Sequence, residues 1–150
     1  MTIIWGDAVR PWQLVIDTNV VVAASRSRLG RSFRLVSLIG DPRFQINLSV
    51  PLVLEYEEVL NRDVVIGAIT PDDIRGFLDY VCSVANQRTV FFRWRPFLAD
   101  PKDDFILELA IEAGCDFIVT YNRRDFAGAE SFGIRVVTPG EFLRIIGDTV

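Results

Sequence analysis

The stretch Leu14-Val15-Ile16-Asp17-Thr18-Asn19-Val20 decides how this chain reads. Three apolar residues of strand-forming type run straight into Asp-Thr-Asn, the residue types that open helices. The pattern predicts a strand over Leu14–Ile16 handing over to a helix over Asn19–Ala24. An acidic side chain therefore stands at the junction.

The same alternation continues outward. A loop with Arg26, Arg28, Gly30 and Arg31 leads to a helix over Ser32–Ile39, which Gly40-Asp41-Pro42 breaks. Phe44–Asn47 reads as a strand. Ser49 then caps a helix with Pro51 in its first turn, where proline is tolerated, running to about Leu60. Thr70-Pro71-Asp72-Asp73 starts a helix that ends near Ala85, and Gln87–Phe92 favours a strand. Asp103 or Asp104 opens a helix ending at Gly114. Phe117–Thr120 reads as a buried strand, Arg135–Val137 as the last strand and Pro139–Ile146 as the last helix. The order β-α-α-β-α-α-β-α-β-α-β-α predicts a three-layer α/β domain whose largely parallel central sheet is flanked by helices. One domain over 1–150, with its core at about 14–146, suits a chain of 150 residues.

In such sheets ligands bind beyond the carboxyl ends of the strands. Asp17 follows one strand directly, and Asn122 and Asp125 follow another. Glu55 lies two turns into a helix that succeeds a strand, and Asp104 begins a helix after a loop. Each has an ordinary explanation. Asp17 could cap its helix. Glu55 could be a solvated neighbour of Glu57 and Glu58, although Leu52 and Val59 share its face. Asp103 and Asp104 could complement a helix N-terminus. Gathered together they need more. Two carboxylates about 4 Å apart repel by roughly 4 kcal/mol at an effective dielectric near 20, so such a cluster takes up protons or a cation. The chain contains no histidine, and oxygen ligands alone favour Mg2+ or Mn2+.

Composition narrows the classes further. A net charge of −4 gives no overall basic field for nucleic acid. Lys102 is the only lysine, and all other basic residues are arginine, which grips phosphate and carboxylate bidentately. The base composition of a genome explains such a bias equally well. Half the residues are hydrophobic and mean hydropathy is +0.28, high enough to suggest an apolar patch serving a partner or a second copy of the chain. Two cysteines, Cys82 and Cys115, form neither a disulfide framework nor a zinc pattern. No run approaches a membrane span, and no signal peptide is evident, so a cytoplasmic protein is expected.

Taken in order, these pieces resemble the PIN-domain ribonuclease family, in particular the VapC-like toxins of toxin–antitoxin pairs. The resemblance runs from about Leu14 to Ile146. It rests on Asp17-Thr18-Asn19 after a strand, Glu55 within Ser49–Leu60, and the small, aliphatic helix Asp104–Gly114. The fourth piece is Phe117-Ile118-Val119-Thr120, followed by Asn122, Asp125 and Phe126. The long Pro71–Ala85 helix and Asp100–Asp104 look most like a subgroup labelled as toxin components.

The resemblance implies an endoribonuclease dependent on Mg2+ or Mn2+, with Asp17, Glu55, Asp104 and Asp125 as the catalytic acids. Those four and Asn122 would hold the metal. Many relatives carry aspartate where Asn122 stands, so a second cation would be held more weakly here. Thr18, Asn19 and Thr120 would support the ligands, and Asp103 is an alternate to Asp104. Arg26, Arg28, Arg31, Arg34, Arg123 and Arg124 are candidates for the RNA backbone, against the plainer reading of solvated side chains or contacts with an antitoxin's acidic tail. A protein antitoxin and a homodimer are further expectations from the family. The rival reading is a PIN-like module that binds RNA or protein without cutting. A haloacid-dehalogenase-type phosphatase would need an acid at Asn19, and a response-regulator receiver would need a lysine beyond Lys102. Neither fits.

Overall fold

The computed structural model describes residues 3–5, 8–90 and 101–148, with side chains over 10–90 and 105–148. A hairpin of β1 (Ile3–Trp5) and β2 (Ala8–Arg10) precedes the main sheet and pairs antiparallel. The main sheet has five strands: β3 (Trp12–Ile16), β4 (Phe44–Leu48), β5 (Asn86–Gln87), β6 (Phe117–Val119) and β7 (Arg135–Val137). Their spatial order is β5-β4-β3-β6-β7, and every neighbouring pair is parallel. Parallel neighbours cannot be joined by tight turns, so helices must make the crossovers.

Between β3 and β4 lie α1 (Thr18–Arg26) and α2 (Arg31–Ser37). Between β4 and β5 lie α3 (Val50–Val65) and α4 (Pro71–Val84), and α5 (Pro101–Glu112) precedes β6. The chain closes with α6 (Pro139–Ile145). It first builds outward from β3 through β4 to β5, then returns through α5 to lay β6 on the other side of β3. The winding of the chain thus reverses between the parallel neighbours β3 and β6, the place where such folds open a crevice at their carboxyl edge.

The core explains this arrangement. Leu14, Val15 and Ile16 of β3 and Phe117, Ile118 and Val119 of β6 are essentially inaccessible, as continuous apolar strands covered on both faces should be. At the amino edge, Trp12 meets Phe117 edge-on at 5.3 Å. Phe142 of α6 makes edge-on contacts at 5.4 Å with both Phe44 and Phe117. Such pairs add to simple burial. This aromatic cluster knits the amino ends of β3, β4 and β6, leaving their carboxyl ends to polar groups. Helix starts are written locally as well. Ser49 accepts from the Leu52 N–H, while Thr70 with Asp73 and Thr138 with Glu141 form reciprocal capping boxes.

Three expectations differ. The helix expected between β6 and β7 is replaced by two 3-10 turns, Arg123–Phe126 and Ala129–Phe132. Gly128 and Gly133 take positive φ at 93° and 77°, and these left-handed residues break the segment before an α-helix can propagate. The strand expected over Gln87–Phe92 is described only over Asn86–Gln87, with one more bond from the Arg88 N–H to the Leu48 carbonyl at 2.8 Å. Phe91 and Phe92 lie outside the described residues. The β1–β2 hairpin was not anticipated. Among the described residues, no helix is long and apolar enough to cross a membrane.

Candidate metal centre

Asp17 occupies the cap position of α1 but does not cap it. Its backbone is extended and its side chain makes no cap hydrogen bond. The carboxylate, only 5% exposed, turns across the sheet reversal instead. The Thr120 hydroxyl at the end of β6 donates to Asp17 Oδ2 at 2.8 Å. The backbone joins the same two strand ends, Asp17 N–H donating to the Val119 carbonyl at 2.9 Å.

Thr120 is the hub of this edge. Fully buried, its Oγ1 also accepts from the Asn122 N–H at 3.0 Å and from Asn19 Nδ2 at 3.3 Å. Asn19 Oδ1 in turn faces the Tyr121 N–H at 3.5 Å. The Asp17 carboxylate and the backbone after β6 are thereby held in one orientation. Asn19 and Thr120, both expected as supporting residues, are thus joined to each other, and Thr120 to Asp17.

Thr18 connects the second acid. Its hydroxyl lies 3.3 Å from Asp17 Oδ1 and 3.1 Å from Glu55 Oε1. One hydroxyl has one proton, so it can satisfy only one of the two oxygens at a time. Glu55 is half-buried in the second turn of α3, and its neighbour Tyr56 is buried. The Tyr56 hydroxyl donates to the Ile16 carbonyl, the last of β3, and so pins α3 against the strand that carries Asp17. Burial raises the Tyr56 phenol well above its usual range, with Asp17 and Glu55 adding to the effect.

Burial likewise raises the Asp17 carboxyl, opposed by the hydrogen bonds from Thr120 and Thr18 and reinforced by the charge of Asp125. Asp125 is exposed on the 3-10 turn after β6, which buried Phe126 anchors. Asn122 is exposed and its side chain does not cap that turn. The first turn of α5 carries Asp103 and Asp104, whose side chains lie outside the described residues. A crossover helix runs opposite to its strands, so this turn belongs to the same edge of the sheet. Among the described residues, no three acidic or thiol groups enclose an ion-sized space. The described centre therefore consists of Asp17 and Glu55 on either side of Thr18, with Asp125 acting from the rim.

The donor set fits a hard divalent cation. Every candidate ligand is oxygen, and both burial and the charge of Asp125 disfavour the ionised form of the Asp17 carboxyl. A cation would offset both the burial and the repulsion.

The expected RNA-facing arginines divide. Arg26 grips Asp63, a fully buried acid of α3, through Nε at 3.2 Å and Nη2 at 2.9 Å. Ser25 donates to the same carboxylate. Arg34 holds Asp148 through Nε at 3.0 Å and Nη2 at 2.9 Å, and Arg123 pairs with Glu141 at 2.9 Å. Arg31 packs on Gly140, where an added Cβ would lie 2.8 Å from its Cδ. Arg28 and Arg124 are exposed. Tyr56, Asp63 and the buried Glu108 of α5 were not singled out in the sequence. Asp63 follows Leu52, Tyr56 and Leu60 at helical spacing, so its buried position was readable there.

Fold and site together define a parallel α/β domain with acids collected at the sheet reversal. A family model of the PIN domain matches residues 13–124, and the chain belongs to that family. No curated protein matches it. Among solved structures, VapBC2 from Rickettsia felis bound to a DNA fragment from their promoter contains a chain of the same fold. The TM-score is 0.53 at 14% identity, over 83% of this chain and 98% of that one.

Proposed function

We propose that the protein is a Mg2+- or Mn2+-dependent endoribonuclease, the toxin of a toxin–antitoxin pair. Asp17, Glu55, Asp104 and Asp125 would supply its acids, with Asn122 as a further oxygen ligand. The observation that carries this reading is the Thr18 hydroxyl lying between Asp17 and Glu55, with Asp17 buried and its carboxyl raised. PIN-domain membership supports a nuclease. The similar VapBC2 complex supports a protein antitoxin as partner, and a homodimer is the assembly proposed with it.

Asp17, Glu55, Asp104, Asp125 and Asn122 would hold the divalent cation, which when bound would supply positive charge and make a water more acidic. Thr120 keeps Asp17 turned toward the centre, and Tyr56 holds α3, and with it Glu55, against β3. With no histidine in the chain, a carboxylate of the cluster, Glu55 or Asp125, receives the proton released by the water. Arg28 and Arg124, both exposed, would meet the RNA backbone, a contact that salt weakens.

Incubating end-labelled single-stranded RNA with the protein should give cleavage products when Mn2+ or Mg2+ is added and none after EDTA treatment. Asp104→Asn should lose the activity. Equal cleavage by wild type and Asp104→Asn would identify a contaminant. Cation-independent RNA binding without products would instead establish a non-cutting module.

A further inference from the structure

Tyr121 stands at the rim of the proposed nuclease centre and has no part in the chemistry above. It follows Thr120, the residue that donates to Asp17, and precedes Asn122. Nearly half of it, 47%, is exposed. Its hydroxyl, however, is hydrogen-bonded to Ser32 of α2, which is 2% exposed. A tyrosine that reaches water usually does so through its polar tip. Here the tip is tied to a buried serine, which leaves the ring as the part free to face a ligand. The backbone is held too, through the Tyr121 N–H facing Asn19 Oδ1. The side chain is therefore held at both ends, one residue on from the donor to Asp17, and its position is set before anything binds.

We propose that Tyr121 is a stacking platform for a nucleobase next to the scissile phosphate. This rests on the ribonuclease reading. Proteins that hold single-stranded RNA stack unpaired bases on aromatic side chains, and a preset ring loses little freedom on binding. The neighbouring 3-10 turn carries exposed Arg124, a cation for the adjoining phosphate. The backbone cation and the base platform thus share one short segment with Asn122 and Asp125. A stacked base costs roughly 5- to 150-fold in affinity when its aromatic partner is removed. Such a contact is made equally in the ground and transition states, so its loss appears in KM rather than kcat.

The test is steady-state cleavage of a fluorescently labelled single-stranded oligoribonucleotide with Mn2+, comparing wild type, Tyr121→Leu and Tyr121→Phe, with melting temperatures measured alongside. Tyr121→Leu should raise KM about tenfold while kcat stays within about twofold. Tyr121→Phe keeps the ring and should stay within about threefold of wild type. A wild-type KM in Tyr121→Leu, with cleavage intact, would overturn the platform and leave the nuclease reading standing. Equal losses in Leu and Phe variants would also overturn it, because the hydroxyl anchor rather than the ring would then be responsible. Absence of cation-dependent cleavage by the wild type would remove the nuclease reading, and the platform with it.

Discussion

Asp17→Asn should abolish RNA cleavage while making the cation-free protein more stable. The two effects have one cause. Burial raises the Asp17 carboxyl, so the folded chain keeps that proton to higher pH than the unfolded chain does. The sign follows from proton binding. Where the native state holds more protons, stability falls as pH rises. The contribution from Asp17 is most favourable below the ordinary carboxylate range and is lost as pH climbs through the raised value. Once that carboxyl is ionised, the cation-free protein carries a buried charge that the hydrogen bonds from Thr120 and Thr18 offset only in part.

Asparagine has nearly the same shape. Its Oδ1 can still accept from Thr120, and it carries no charge to bury. We expect kcat to drop roughly 1,000-fold or more, the upper scale for losing one charge-stabilising group. Melting in EDTA should rise by a few degrees. Addition of Mn2+ should raise the melting temperature of wild type by mass action and leave the variant unmoved. Scanning calorimetry of both proteins with and without Mn2+ checks the stability half, and the cleavage assay checks the other.

Thr120→Val should have the second-largest effect, although it changes no proposed ligand. Valine matches threonine in shape but removes a hydroxyl that makes three contacts. Asp17 Oδ2 loses its donor, and the Asn122 N–H and Asn19 Nδ2 lose their acceptor. Thr120 is fully buried, so water cannot readily replace those bonds. Leaving buried polar groups unmet costs about 1–3 kcal/mol each, so we expect destabilisation of about 2 kcal/mol by urea unfolding. Freeing the Asp17 carboxylate to rotate should also reduce activity about 10- to 100-fold, as when a group orienting a metal ligand is lost. Thr120→Ser retains the hydroxyl and should recover most of both. Thr120→Val with wild-type stability and activity would show that the hub is unimportant.

Much of this was legible because each signal was local. The apolar runs Leu14–Ile16 and Phe117–Val119 mark strands buried on both faces, and capping at Ser49 and Thr70 marks where α3 and α4 begin. Asp17 at a strand–helix junction was visible. Which of its two fates it takes was not, because capping and turning inward use the same residue type. Thr120 decided the matter from about a hundred positions away, through a register between β3 and β6 that no local pattern encodes. The same limit hid the inward anchoring of Tyr121 by Ser32 and the capture of Arg26 and Arg34 by acids distant in sequence. The segment after β6 failed differently. Its composition allows a helix, but Gly128 and Gly133 adopt left-handed backbone and divide it into two short turns.

Diffraction from crystals soaked in Mn2+, recorded near the manganese absorption edge, would show most directly whether acids from separate segments share a cation. An anomalous peak between the carboxylates of Asp17 and Glu55, with Asp104 also within coordinating distance, is the expected result. Occupied manganese elsewhere on the surface, with those carboxylates pointing apart and no density between them, would contradict it.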